Sequence, residues 1–241
     1  MRKPEKIRAE DVLKDLMLLK NKSRAGICAC FFRAYKGGYG QGDVFLGLTV
    51  PQQRKIAGKY YKEISLEETE KLLKNKFHEA RYAALSVLKA KYMRKKTSSK
   101  EKEKIAGIYL RNIAMVNNWD LVDISAPYIS GEHWYAGKTD GLRKMAQSKC
   151  LWRERIAVLS CFYFIRRGSF KEIFALSELF LHHQHDLIRK AVGWMLRETG
   201  KRNAEVLYGF LDKNYKNMPA TMLRYALEKL PEKKRRLYME R

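Results

Sequence analysis

A chain of 241 residues suits one domain or at most two, and its 46% apolar content supports a continuous core and excludes a disordered polymer. Fifty Lys and Arg against 26 Asp and Glu leave a net charge of +24, which opposes compaction unless the partner is a polyanion, and nucleic acid is the commonest one. No apolar run approaches the roughly 18 residues of a membrane span, and the opening MRKPEKIRAEDVLKDL mixes acids with bases and lacks an apolar stretch, so neither a span nor a signal peptide is expected.

Apolar residues recur at helical spacing almost everywhere and only five prolines interrupt them, so the sequence predicts an all-α protein of roughly a dozen helices of about 10 to 18 residues. Residues 1 to about 20 are expected to form a peripheral helix or tail. Glu10-Asp11 reads as favourable charge in a first helical turn, as does Glu67-Glu68. Cys28 and Cys30 form C-x-C, which matches no zinc ribbon. With Cys150 and Cys161 they are expected to be buried, reduced thiols. Gly37–Gly47 (GGYGQGDVFLG) does not complete G-x-G-x-x-G and follows no strand, so an ordered loop with Phe45 and Leu46 in the core is expected. Further breaks are expected at Thr97–Ser99, around Gly131–Gly137, at Gly168–Ser169 and at Gly200–Asn203. His182, His183 and His185 cluster, but a two-residue spacing does not put ligands on one helix face, and no metal site is expected.

Between these breaks the chain repeats. HEARYAALSVL, NWDLVDISAPY, LWRERIAVLSC, LIRKAVGWML and TMLRYALEKL each set one polar residue ahead of a small apolar block. The polar slots are Arg81, Asp123, Arg155, Lys190 and Arg224, at intervals of 42, 32, 35 and 34 residues, which is the period of a helical-hairpin solenoid. One repeat domain over 1–241 is expected, with 231–241 peripheral like the start. The slots are expected to meet solvent on one side as a polar stripe, and four of the five are cationic, as a phosphate rail requires. Solvated surface cations are the plainer alternative in a chain with 50 of them.

Asp123 is the exception, a carboxylate among cations. Trp119 precedes it by four residues on the same helix face, and Trp194 follows Lys190 by four. An aromatic face suits stacking on bases or sugars, and a carboxylate there suits stabilising positive charge and orienting water. Core tryptophans with a structural Asp123–Arg155 salt bridge are the alternative.

Taken together, FFRAYKGGYGQGDVFLGLTVPQQRKIA, HEARYAALSVL, NNWDLVDISAP, LWRERIAVLS and IRKAVGWMLRETGKRN resemble the AlkD-type family of DNA alkylation repair glycosylases over about residues 20 to 230. The resemblance implies a curved superhelix of HEAT-like repeats with duplex DNA in a concave basic groove. It makes Asp123 the catalytic carboxylate, Trp119 and Trp194 the walls of the lesion cleft, and Arg155 the residue that holds the phosphate beside the lesion. Phe32 lies where a ring borders the cleft in relatives. Asn118 departs from relatives that carry a further Trp at that place. Lys190, Arg197, Lys201 and Arg202 beside Trp194, with Arg81 and Arg224 further out, are expected to contact DNA, and the basic tail Lys233-Lys234-Arg235-Arg236 either follows the duplex or is solvated.

The implied reaction is hydrolysis of the N-glycosidic bond of cationic N3- or N7-alkylated purines, as in base excision repair. It is monofunctional, proceeds without base flipping and needs no cofactor. A monomer in the bacterial cytosol or at the nucleoid is expected. A non-catalytic binder of branched or damaged DNA and a protein-binding scaffold are the alternative functions.

Overall fold

Short side-chain caps and apolar stripes break this chain into many brief helices. Residues 6–240 are described by the computed structural model; of the segments expected to be peripheral, about 1–20 and 231–241, only Met1–Glu5 and Arg241 lie outside them. Among the described residues there are fifteen α-helices and no strand, only a single parallel bridge between Val44 and Phe77. The helices are more numerous and often shorter than expected, running from 7 to 17 residues. The chain forms two compact units, one ending at Ile129 and the next beginning at Ser130.

In the first unit, α1 (Ala9–Leu18) and α2 (Lys22–Phe31) precede the glycine-rich loop, and α3 (Val50–Tyr60), α4 (Leu66–Leu73), α5 (His78–Tyr92), α6 (Ser99–Arg111) and α7 (Trp119–Ser125) follow. Hydroxyl caps start three of these helices: Thr49 with Gln52 closes a capping box on α3, Ser65 accepts from Glu68 N, and Ser98 accepts from Glu101 N. Glu10-Asp11 and Glu67-Glu68 fall in first turns, as expected. The core centres on α5, whose Ala80, Tyr82, Ala83, Ala84, Leu85, Val87 and Leu88 are buried against α3, α4, α6 and α7. The loop is ordered as expected, with Phe45 and Leu46 buried. Its anchor is the buried Glu79 carboxylate, which accepts from Leu46 N at 2.9 Å, Gly47 N at 2.8 Å and Leu48 N at 3.2 Å. Gly47 takes φ +87°, and a side chain there would strike the backbone of Asn21, which caps α2, and of Ala25 within it.

The second unit holds most of α8 (Ile129–Tyr135), then α9 (Thr139–Ala146), α10 (Leu151–Arg166), α11 (Lys171–Leu179), α12 (Asp186–Arg202), α13 (Ala204–Asn214), α14 (Ala220–Leu227) and α15 (Glu232–Met239). Packing of α12 on α10, α13 and α14 forms its centre. Two expected breaks are displaced. Gly131 lies inside α8, where burial of Trp134 outweighs the roughly 1 kcal/mol helix penalty of glycine. Gly200 lies inside α12, which runs to Arg202; Asn203 ends it and accepts from Val206 N to start α13. All four cysteines are free, but only Cys161 is buried; Cys30 and Cys150 are exposed, because α2 buries no residue and Cys150 precedes a helix.

Candidate functional site

Helix α7 is built to display two residues. Asn118 is buried, and its side chain caps Trp119 N at 2.9 Å, fixing the first turn. Leu121, Val122 and Ser125 turn inward, which leaves Trp119 and Asp123, one turn apart, half-buried on the other face. Both line a cavity of about 400 Å³ that Phe31, Phe32 and Phe45 share. The Phe32 ring stacks on Trp119 (centroids 5.4 Å, planes at 27°) and on Phe45 (5.2 Å, 11°), and Phe31 meets Trp119 edge-on at 5.9 Å. Trp119, Asp123 and Phe32 are therefore brought together within the first unit.

Behind this aromatic wall runs a buried ionic chain. His78 lies under Phe32 and Phe45, with ring centroids at 4.9 and 4.7 Å. Its Nδ1 is 3.0 Å from Asp43 Oδ2 and its Nε2 is 2.9 Å from Asp120 Oδ2. Burial alone would lower the His78 pKa, but the Asp120 and Asp43 carboxylates outweigh it and raise the value to about 9, so the ring is an imidazolium at neutral pH. Burial opposes ionisation of Asp43 in turn, yet His78 and Arg81 hold its pKa below the usual carboxylate value. Asn117 and Asn118 also donate to Asp43, at 3.1 and 3.2 Å. Asp120 Oδ1 accepts from Leu121 N at 2.8 Å. The chain of bonds thus ties the glycine loop, the head of α5 and the start of α7 into one support for Trp119.

Two slots of the expected polar stripe do not face solvent. Arg81 is 5% exposed, forms an ion pair with Asp43 and donates to the Asn75 and Lys76 carbonyls at 3.1 Å. Arg155, also 5% exposed, donates to the Leu187 carbonyl at 2.6 Å within the second unit. Guanidinium groups this deep are stable because carboxylate and carbonyl partners meet them, and those partners come from segments more than thirty residues away or from the connection between α4 and α5. Arg224 is exposed as expected, and Lys190 is partly exposed and pairs with Asp186 at 2.7 Å.

In the second unit Trp194 is half-buried on α12 and donates to Glu198 at 3.2 Å. Gly193 beside it has a packing reason: a Cβ there would collide with the Met222 carbonyl and Tyr225 of α14. Arg197 pairs with Glu228, Lys201 pairs with Glu198 at 2.7 Å, and Lys201 and Arg202 are exposed. His183 Nε2 is 3.1 Å from Glu154. Among the described residues no group of three or more His, Cys, Asp or Glu is placed to hold a metal, and no helix is long and apolar enough to cross a membrane.

Residues 12–230 match the profile of a family described as DNA alkylation repair enzyme. A predicted DNA alkylation repair enzyme from Enterococcus faecalis shares the fold at a TM-score of 0.67 with 17% identity, over 88% of this chain and 97% of that one. A search of curated proteins returns no match. With the family profile spanning most of its length, the chain belongs to the DNA alkylation repair enzyme family, and its work is in the repair of alkylated DNA.

Proposed function

Starting from that family membership, we propose that the chain is a monofunctional DNA glycosylase that hydrolyses the N-glycosidic bond of cationic N3- or N7-alkylated purines in duplex DNA. The observation that carries the reading is the placement of Asp123 one helical turn from Trp119 on the wall of an aromatic cavity, in a chain of net charge +24.

Alkylation at N3 or N7 makes the base a cation, so the leaving group needs no strong acid. As the C1′–N bond breaks, its electron pair neutralises the base and the deoxyribose takes on oxocarbenium character, as in glycoside hydrolysis. The Asp123 carboxylate stabilises that charge and orients a water toward C1′. The water oxygen bonds to C1′ and its proton passes to Asp123 and then to solvent, leaving a free neutral base and an abasic site. The Trp119 face favours the developing sugar cation over the neutral ground state. This chemistry reaches the sugar without moving the base into a pocket. Lys190, Arg197, Lys201, Arg202 and Arg224 take backbone phosphates. No cofactor takes part, and a monomer suffices.

Incubating the protein with methylated duplex tests the reading: release of the alkylated base with an intact but abasic strand is expected. Strand scission, or no abasic product while duplex binding persists, would replace it with a different enzyme or a non-catalytic binder.

A further inference from the structure

Helix α2 presents an unusual surface. None of its ten residues is fully buried, and it turns apolar side chains outward: Ile27 is 69% exposed and Phe31, four residues on, is 63% exposed. Helices are normally ordered by burying one apolar face, so a ridge left in water marks a contact surface. Two further observations say what it contacts. From Leu16 through Gly42 the sequence contains no Asp or Glu, while Lys20, Lys22, Arg24, Arg33 and Lys36 lie in that stretch and all are exposed. The ridge is also continuous with the catalytic wall, because the Phe31 ring meets Trp119 edge-on and Ile27, Phe31 and Asp123 line the same cavity.

We propose that Ile27 and Phe31 form a wedge that enters the base stack of duplex DNA beside the lesion. The inference rests on the reading of the chain as acting on alkylated duplex. Cations on α2 and in the following loop hold the backbone on either side, and the Phe31 ring takes the place of a stacked neighbour. A hydrolase that leaves the alkylated base unflipped still has to expose C1′ to water, and opening the adjacent step does so. Phe31 then occupies the gap while Trp119 faces the sugar. A basic segment without acids also suits an anionic membrane, but an apolar ridge that runs into the Asp123 cavity fits a DNA step.

The test uses the full chain and a duplex carrying a 2′-fluoro-stabilised 7-methylguanine, with 2-aminopurine as its neighbour. Saturating protein is expected to raise 2-aminopurine fluorescence, reporting an unstacked base. Phe31→Ala is expected to bind about tenfold or more weakly and to lose the fluorescence rise, as the loss of one aromatic–base stack predicts, and Ile27→Ala is expected to weaken binding in the same sense. Both side chains are exposed, so unchanged melting curves will show that the variants fold. The wedge is overturned if the natural chain saturates the duplex without a fluorescence change, or if Phe31→Ala retains it. It is also overturned if the ridge instead serves phosphatidylserine vesicles or a dimer, with Phe31→Ala abolishing that binding or dissociating that dimer. The stabilised duplex separates this inference from the proposed function. Unstacking without release from an ordinary methylated duplex would keep the wedge and sink the hydrolase; release without unstacking would do the reverse.

Discussion

The Nε2 of His78 lies 2.9 Å from Oδ2 of Asp120, the residue that follows Trp119 in the first turn of α7. The other ring nitrogen holds Asp43, so one buried imidazolium joins the glycine loop to the helix that carries Trp119 and Asp123. His78→Phe keeps a ring against Phe32 and Phe45 but takes the buried imidazolium from Asp120 and leaves Asp43 to Arg81, Asn117 and Asn118. Urea unfolding should show a loss of about 3 to 5 kcal/mol, the usual effect of breaking a buried ion pair, and a loss under about 1 kcal/mol would contradict this account of the network.

The same residue predicts a pH dependence. The folded pKa of His78, about 9, lies above its ordinary 6.5, so its contribution to stability is complete below 6.5 and is lost as pH rises through about 9. Asp43 has a folded pKa below its ordinary 3.8, so its contribution is present above 3.8 and is lost as pH falls through the lowered value. The stability difference between the natural chain and His78→Phe should therefore shrink steadily between pH 6.5 and about 9. A constant difference across that window would mean that the ring is neutral.

Gly193 is expected to tolerate no side chain. Gly193→Ala forces α12 away from Met222 and Tyr225 of α14 and should cost about 1 to 3 kcal/mol in chemical denaturation. A variant as stable as the parent would show that the two helices separate freely.

The phosphate role proposed for Lys201 and Arg202 predicts a salt signature. Replacing both with Gln should reduce the slope of log K against log salt for duplex binding by about 0.9 per lost contact. An unchanged slope would place both side chains away from the DNA.

The pairing of Trp119 with Asp123 is legible in the sequence, because one helical turn separates them and the neighbours Leu121 and Val122 are apolar. The glycine loop is legible for a similar local reason, as its one apolar run, Val44 to Leu46, follows a polar glycine-rich stretch, although Val44 of that run stays exposed. The slot pattern fails at Arg81 and Arg155, because periodicity reports which face of a helix a residue occupies and not which distant group meets it. Asp43 lies 38 residues before Arg81 and the Leu187 carbonyl 32 after Arg155, so their burial depends on tertiary pairing. The Asp43–His78–Asp120 chain is missed for the same reason. His78 reads as a polar residue at a helix start, and Asp120 reads as an ordinary first-turn acid. The exposed Phe31 is missed because FF suggests core, and only the absence of acids around it carries a signal.

The central claim is that Asp123 is the carboxylate that stabilises the breaking glycosidic bond, and one measurement tests it directly. Release of 7-methylguanine from a methylated duplex is followed for the natural chain and for Asp123→Asn, with duplex affinity recorded for both. The account predicts release by the natural chain, its loss in the variant, and affinity equal or higher in the variant because a negative charge facing phosphate is gone. Undiminished release by Asp123→Asn, or parallel loss of release and affinity, would contradict it.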